Sequence, residues 1–460
     1  MGRLPDPAFI GAVALGAVLF SYIYWGFGFL RMGTTGFVAR AFGAGDGDAI
    51  RALAARSLLL AAGLGAAILL LQWPIGMLGR VLMPASDGVE TAMLEYYGVR
   101  VWSAPAVLAN YVLMGVFIGM QRTGFAVIAQ LVLNLGNAAL SAWFVLRLGW
   151  GIGGVALASV VAEYASLVVG VLLLMPAIRR VPGHWPVGRL LLSARGYREL
   201  VVVNGNLFLR TLCLITAFAW FNAQSAALGD LNLAVNAVLL QLLHLLSYGL
   251  DGFAHAAETL VGSALGARDA RAYRWAIRST TGWALGTALV YSALYAALGS
   301  AIVALLTTIE PVRSLAADYL PWLVAMPVVA VWSYQLDGIF VGSLRSADMR
   351  NSMGVALIAY LLASLVARPA LGNHGLWLGL AVFFVARALT LARVLRRQPD
   401  GERPRRAERR RPAWRRRCAV CRRESPDLRI RLSTKPPVQS TSLPCVAGLL
   451  MPASPSGSKT

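Results

Sequence analysis

The sequence predicts an all-α polytopic membrane protein made of two parallel-repeat six-helix lobes, here with about eleven transmembrane helices because the first helix is missing. Three observations predict it: an apolar composition, a succession of bilayer-length apolar runs, and an internal repeat. Of 460 residues, 58% are hydrophobic and only 14% charged, too little polar surface to coat a water-soluble globule. Crossing roughly 30 Å of hydrocarbon takes about 20 helical residues, and uncharged runs of that length recur as far as Arg396. They lack the alternation of barrel strands, and the helix is the other structure that satisfies its own backbone polar groups in lipid.

Spans are read near residues 8–43, 51–79, 91–119, 124–148, 151–176, 198–228, 231–266, 275–308, 315–343, 348–370 and 374–396. Arginine sets the sidedness, because basic residues in short loops stay in the cytoplasm. Arg40, Arg51 and Arg56 follow the first run and Arg122 the third; Arg179, Arg180, Arg189 and Arg195 follow the fifth, Arg268, Arg271, Arg274 and Arg278 the seventh, and Arg345 and Arg350 the ninth. The other loops hold a sparser, mixed set: Arg80, Asp87, Glu90, Asp230, Glu310, Arg313 and Arg368. The expectation is a bacterial inner-membrane protein with its C-terminus in the cytoplasm.

Gly43-Ala-Gly-Asp46 and Gly266-Ala-Arg-Asp269 stand 223 residues apart. The same offset maps Arg51 onto Arg274, Tyr111 onto Tyr334, Gly115 onto Gly338, Phe117 onto Phe340, Gly119 onto Gly342 and Arg122 onto Arg345. One offset held across so many helices indicates duplication. The run at 198–228 has no counterpart, since its mate would precede Met1, and six-helix lobes require that mate. The domains expected are a first lobe over 1–180 lacking its first helix, a cytoplasmic linker over 181–197, a second lobe over 198–396, and a basic tail over 397–460 that is disordered or frame-shifted. Parallel repeats of this kind meet at a central solute cavity.

The net charge of +21 comes largely from that tail, with Arg409-Arg-Arg411, Arg415-Arg-Arg417 and the chain's two lysines, Lys435 and Lys459. It suits contact with anionic lipid. No ordered basic face or aromatic platform points to nucleic acid. Cys418 and Cys421 form a lone CxxC without a second ligand pair at zinc spacing, so no metal is expected. The four histidines, at 184, 244, 255 and 374, are scattered, and no catalytic set is read; the protein is not expected to be an enzyme.

Ionisable side chains inside the membrane cost at least about 2.5–3.5 kcal/mol unless paired or hydrated, so each needs a reason. Asp251, His255 and Glu258 share one helical face by spacing. Asp251 and Glu258 are read as candidates for ion coupling, against the alternative of a buried network that locks helices. Asp337 is a third candidate, with a packing role opposite Arg210 as its alternative. Arg31 and Arg210 pair a carboxylate or meet an anionic solute. Tyr24, Trp25, Met32 and Tyr248 are candidates for an aromatic and thioether cavity lining, with ordinary packing as the alternative. Glu163 and Arg387, in corresponding late spans, are read as structural caps.

Trp25-Gly-Phe-Gly-Phe-Leu-Arg-Met-Gly-Thr-Thr-Gly36, Leu209-Arg-Thr-Leu212, Asp251-Gly-Phe-Ala-His-Ala-Ala-Glu258 and Gln335-Leu-Asp-Gly338 together resemble the multidrug and toxic compound extrusion transporters, in the branch of DNA-damage-inducible protein F. The resemblance runs from about residue 8 to about 396. It implies two lobes that rock between outward and inward openings while exchanging H⁺ or Na⁺ for a small organic, often cationic, solute, without a cofactor. It also implies a first-lobe coupling network in which Asn137 matches an asparagine and Ser159 a hydroxyl position. Ser141 falls where that family often has an acid, and serine takes up no proton at neutral pH. The partners expected are solute and bilayer, with no nucleic acid, and the protein is expected to be a monomer. Alternatives are a flippase for a lipid-linked precursor, whose cavity would be richer in arginine than Arg31 and Arg210 provide, and an inactive truncated transporter.

Overall fold

The computed structural model describes residues 7–82, 86–185, 191 and 193–397. The elements are α1 (Pro7–Gly26), α2 (Phe29–Ala44), α3 (Gly47–Leu70), α4 (Gln72–Leu82), α5 (Asp87–Arg100), a single 3₁₀ turn (Val101–Ser103), α6 (Ala104–Gly119), α7 (Thr123–Leu146), α8 (Gly151–Arg179), α9 (Ala194–Ala226), α10 (Asp230–Gly266), α11 (Ala270–Leu306), α12 (Glu310–Gly342), α13 (Ser346–Leu371) and α14 (Asn373–Arg396). Among the described residues, eleven spans are long and apolar enough to cross a membrane. The tail over 397–460 lies outside the described residues except for Arg397, and the linker over 181–197 falls partly outside them.

Three expected spans break, that at 91–119 at the 3₁₀ turn Val101–Ser103 between α5 and α6. The run at 8–43 divides into α1 and α2 around Phe27 and Gly28, where glycines at 26 and 28 weaken the helix. The run at 51–79 ends α3 at Leu70 and restarts as the short helix α4. Pro74 is the reason: it has no N–H to give and its ring clashes with the carbonyl four residues earlier. Trp73, Leu78 and Val81 of α4 are left exposed, and α4 is too short to span a bilayer.

The duplication is written into the backbone. At the end of α2, Gly45 and Asp46 N–H groups bond the carbonyls of Phe42 and Ala41; at the end of α10, Arg268 and Asp269 bond those of Leu265 and Ala264. The turn after α6 repeats after α12 in the same way, with Gln121 and Arg122 matched by Leu344 and Arg345. Gln121, Arg268 and Leu344 accept left-handed φ angles of 59°, 55° and 57° to make these turns. Asp46 caps α3 through Ala49 N–H at 2.9 Å, and Asp269 caps α11 through Ala272 and Arg271 N–H at 3.0 and 2.8 Å. Those N–H donors, Ala272 first, hold the exposed Asp269 carboxyl below its ordinary range.

Glycines bring the two repeats together. A methyl group on Gly43 would collide with the Ser263 carbonyl, and one on Gly266 with the Arg40 carbonyl. These two contacts are the same contact seen from either repeat, so α2 and α10 cross on a pseudo-two-fold axis. Within each repeat the motif GxxxG does the same work: a Cβ on Gly115 or Gly119 of α6 would sit 2.7 or 2.9 Å from the carbonyls of Arg31 or Thr35 on α2. Gly338 and Gly342 of α12 press on the Ala254 and Glu258 carbonyls of α10 in the matching places. Small residues are how membrane helices approach closely without a hydrophobic driving force between them. All these contacts lie toward the end of the bundle that carries Arg40, Arg122, Arg268 and Arg345.

Gly266→Val is expected to lower thermal stability in detergent by about 1–3 kcal/mol, the usual cost of overpacking. Gly282→Ala, in open space, is expected to be neutral or to gain up to about 1 kcal/mol of helix propensity. Melting curves of the purified variants check both.

Candidate functional site

Arg31 lies in the first turn of α2, just past the break from α1, and Thr35 one turn on donates its hydroxyl to the Arg31 carbonyl at 2.9 Å. The guanidinium faces across to α10, where its Nη1 stands 3.7 Å from Glu258 Oε2. This ion pair joins the two repeats. Glu258 is 2% exposed and its Oε1 has no hydrogen-bond partner. Thr259, the next residue, reaches the Ile118 carbonyl of α6 at 3.3 Å, a second polar link across the same interface. The structure therefore brings Arg31, Glu258 and His255 together near the lobe crossing. Asp251, two turns earlier on α10, lies within Coulombic range of Arg31, Arg210 and Arg387. Among the described residues no cation stands at ion-pair distance from it.

Asp337 is committed differently. Its Oδ2 is bonded by Nη2 of Arg210 from α9 and by Nη2 of Arg387 from α14, and Arg387 Nε stands 3.3 Å from Oδ1. All three side chains are buried. One carboxylate between two guanidiniums leaves one surplus positive charge, and the neighbouring Asp251 is the carboxylate placed to balance it. Arg387 also stacks over the Tyr334 ring at 5.8 Å, and Tyr334 bonds Ser247 at 2.6 Å. The pairing of Arg210 with Asp337 is the alternative the sequence allowed; Arg387, read there as a structural cap, is the second partner of Asp337, which the sequence did not reveal. An arginine inside Phe383-Phe384-Val385-Ala386-Arg387 was the available signal.

A third buried group sits in the first repeat. Arg100 Nη2 stands 3.8 Å from Glu163 Oε1, while the Asn110 amide donates to Glu163 Oε2 at 3.0 Å. The Arg100 guanidinium lies 5.9 Å from the rings of both Phe20 and Tyr24, and the Tyr24 hydroxyl meets Ser103 at 2.9 Å. Tyr24 is thus held inside a polar cluster of α1, α5 and α8. The other aromatic candidates are not in it: Trp25 is 41% and Tyr248 76% exposed, and Met32 packs half-buried against the core.

On α7, Asn137 donates to Ser159 of α8 at 2.7 Å, and Ser141 lies half-exposed one turn further. Their repeat-mates on α13 are Tyr360 and Ser364, both fully buried, with Ser364 accepting from Trp220 of α9 at 2.9 Å. The helix α9 covers α13; among the described residues α7 buries only Ala126. Among the described residues, moreover, no three His, Cys, Asp or Glu side chains converge as metal ligands would.

Stacked apolar spans, a duplicated bundle and paired charges at its centre define a membrane transporter. The MatE family matches residues 1–174 and 207–368, and the chain belongs to that family, the multidrug and toxic compound efflux transporters. It is 42% identical over 399 residues to DNA damage-inducible protein F of Escherichia coli (strain K12), covering 86% of each chain. It is 26% identical over 428 residues to the probable multidrug resistance protein NorM of Rhizobium meliloti (strain 1021), covering 84% of this chain and 87% of that one. Its fold matches an outward-facing multidrug resistance MATE transporter with a TM-score of 0.77 at 21% identity, covering 85% of this chain and 88% of the other. A MATE transporter in a straight conformation gives the same values.

Removing the charge of Asp337 strands two buried guanidiniums. Asp337→Asn is expected to cost about 3–5 kcal/mol, the range for breaking a buried pair, whereas Asp251→Asn is expected to cost far less. Melting temperatures in detergent separate the two.

Proposed function

We propose that the protein exports small organic solutes from the cytoplasm in exchange for protons, by rocking its two repeats about the α2–α10 crossing. The observation that carries this reading is the Arg31–Glu258 pair, which bridges the repeats where they are pressed together, with the uncommitted Asp251 beside it. An ionised Glu258 attracts Arg31 and favours the state in which the arginine-rich end is closed. A proton on Glu258 removes that attraction, in a buried setting where water screens it little. Exchange needs no more than a difference in affinity for proton and solute between the two states. Asp251 serves as the counter-charge for a cationic solute, and a proton displaces that solute toward the outside.

Protons are preferred over Na⁺ on chemical grounds. A sodium ion needs several oxygen ligands, whereas Asp337 is ringed by guanidinium donors and Glu258 faces one. Asn137, Ser141 and Ser159 supply hydroxyl and amide groups but no acid, so in this reading they shape the first repeat without carrying the coupling. The protein works in the inner membrane with its C-terminus in the cytoplasm, and each chain acts as a monomer with its own cavity.

In vesicles with an imposed pH gradient, the wild type is expected to move a cationic dye, and Asp251→Asn combined with Glu258→Gln is expected to abolish that movement while leaving the amount of inserted protein unchanged. Transport driven by a sodium gradient alone, or undiminished transport in the double variant, contradicts the reading.

A further inference from the structure

Among the described residues, Glu163 is the one carboxylate buried in the body of the first repeat. Asp46, Asp48 and Glu95 are exposed, and Glu90 pairs with the exposed Arg80 near a helix end. Glu163 lies midway along α8, 7% exposed, at a depth where an ionised group without a strong partner is costly. Its partner is weak by geometry. Arg100 meets it through a single contact of 3.8 Å, against the roughly 2.7–2.9 Å of a hydrogen-bonded ion pair. The other Arg100 amine, Nη1, is buried with no acceptor.

Two features suit this site to losing and regaining a charge. Asn110 occupies Glu163 Oε2 and also bonds the Glu163 carbonyl, both at 3.0 Å, so the carboxyl stays in place whether or not Oε1 carries a proton. Arg100 lies over the faces of Phe20 and Tyr24, which attract a cation without neutralising it. The guanidinium therefore keeps a second source of stabilisation when Glu163 becomes neutral. Nitrogen donors, not oxygen ligands, surround the acid, which favours a proton over a metal cation.

We propose that Glu163, braced by Asn110 and Arg100, is a second proton-binding site of this protein, separate from the Asp251 and Glu258 centre. One proton from water adds to Oε1, no covalent bond other than O–H forms, and Arg100 is left as the local positive charge. The facing ionisable groups are Arg100 of α5, Tyr24 of α1 and Tyr111 of α6; α7 and the 3₁₀ turn carry none. Tyr111 also lies within Coulombic range of Arg100 and Arg31. The inference deepens the proton-coupled reading above, and its test reads proton binding directly so that the two fail separately.

The test is infrared difference spectroscopy of the purified, detergent-solubilised protein titrated with pH, with no solute and no gradient. One protonated-carboxyl C=O band is expected to vanish in Glu163→Gln and to persist in Glu258→Gln. Arg100→Gln, which keeps the acid but removes its cation, is expected to raise the midpoint of that band by about one pH unit or more. A difference spectrum of Glu163→Gln identical to wild type overturns the proposal. Should that variant fail to fold, an unshifted midpoint in Arg100→Gln overturns it equally. Loss of the band in Glu163→Gln without any gradient-driven transport by wild type sustains this site and removes the antiport reading.

Discussion

Everything in this structure depends on how closely two helix backbones approach where α2 crosses α10. Gly43 faces the Ser263 carbonyl and Gly266 faces the Arg40 carbonyl, and neither position tolerates a Cβ atom. Because lipid tails are as apolar as leucine, helices gain little from hiding apolar surface from one another, and close backbone packing supplies the association instead. The crossing also sets the height of the polar groups. Arg31 and Glu258 lie on these helices a few turns from the contact, so they meet only while the backbones are together.

Electrostatics then follows from burial. Arg31, Arg100, Arg210 and Arg387 face Glu163, Asp251, Glu258 and Asp337, four cations against four acids. The set is neutral when all are ionised, which an apolar medium demands. It is also uneven: Asp337 is held by two guanidiniums, Glu258 and Glu163 by one loose contact each, and Asp251 by none at ion-pair distance among the described residues. Unevenness separates a structural knot at Asp337 from groups that change charge at lower cost.

Much of this was legible in the sequence. The offset of 223 residues located the repeat because the positions that fix its geometry, Gly115 with Gly338 and Gly119 with Gly342, are ones where no other side chain fits. Asp251, His255 and Glu258 could be placed on one face by helical spacing alone. Arg210 opposite Asp337 apart, the partners of the acids could not, since Arg387 is 50 residues from Asp337 and Arg100 stands 63 before Glu163. Only packing of α5 on α8 and of α14 on α12 brings them together. The apolar run through 51–79 concealed the break that Pro74 imposes at Leu71.

The central claim is that the ion pair between Arg31 and Glu258 holds the two repeats together at one end and lets go when Glu258 is neutral. Spin labels at Ala44 and Ala267, equivalent exposed positions at the ends of α2 and α10, measure that end directly by pulsed electron resonance. A single short distance is predicted at high pH, a second, longer population at low pH, and the longer population at every pH in Glu258→Gln. One distance that changes neither with pH nor with that substitution would contradict the account.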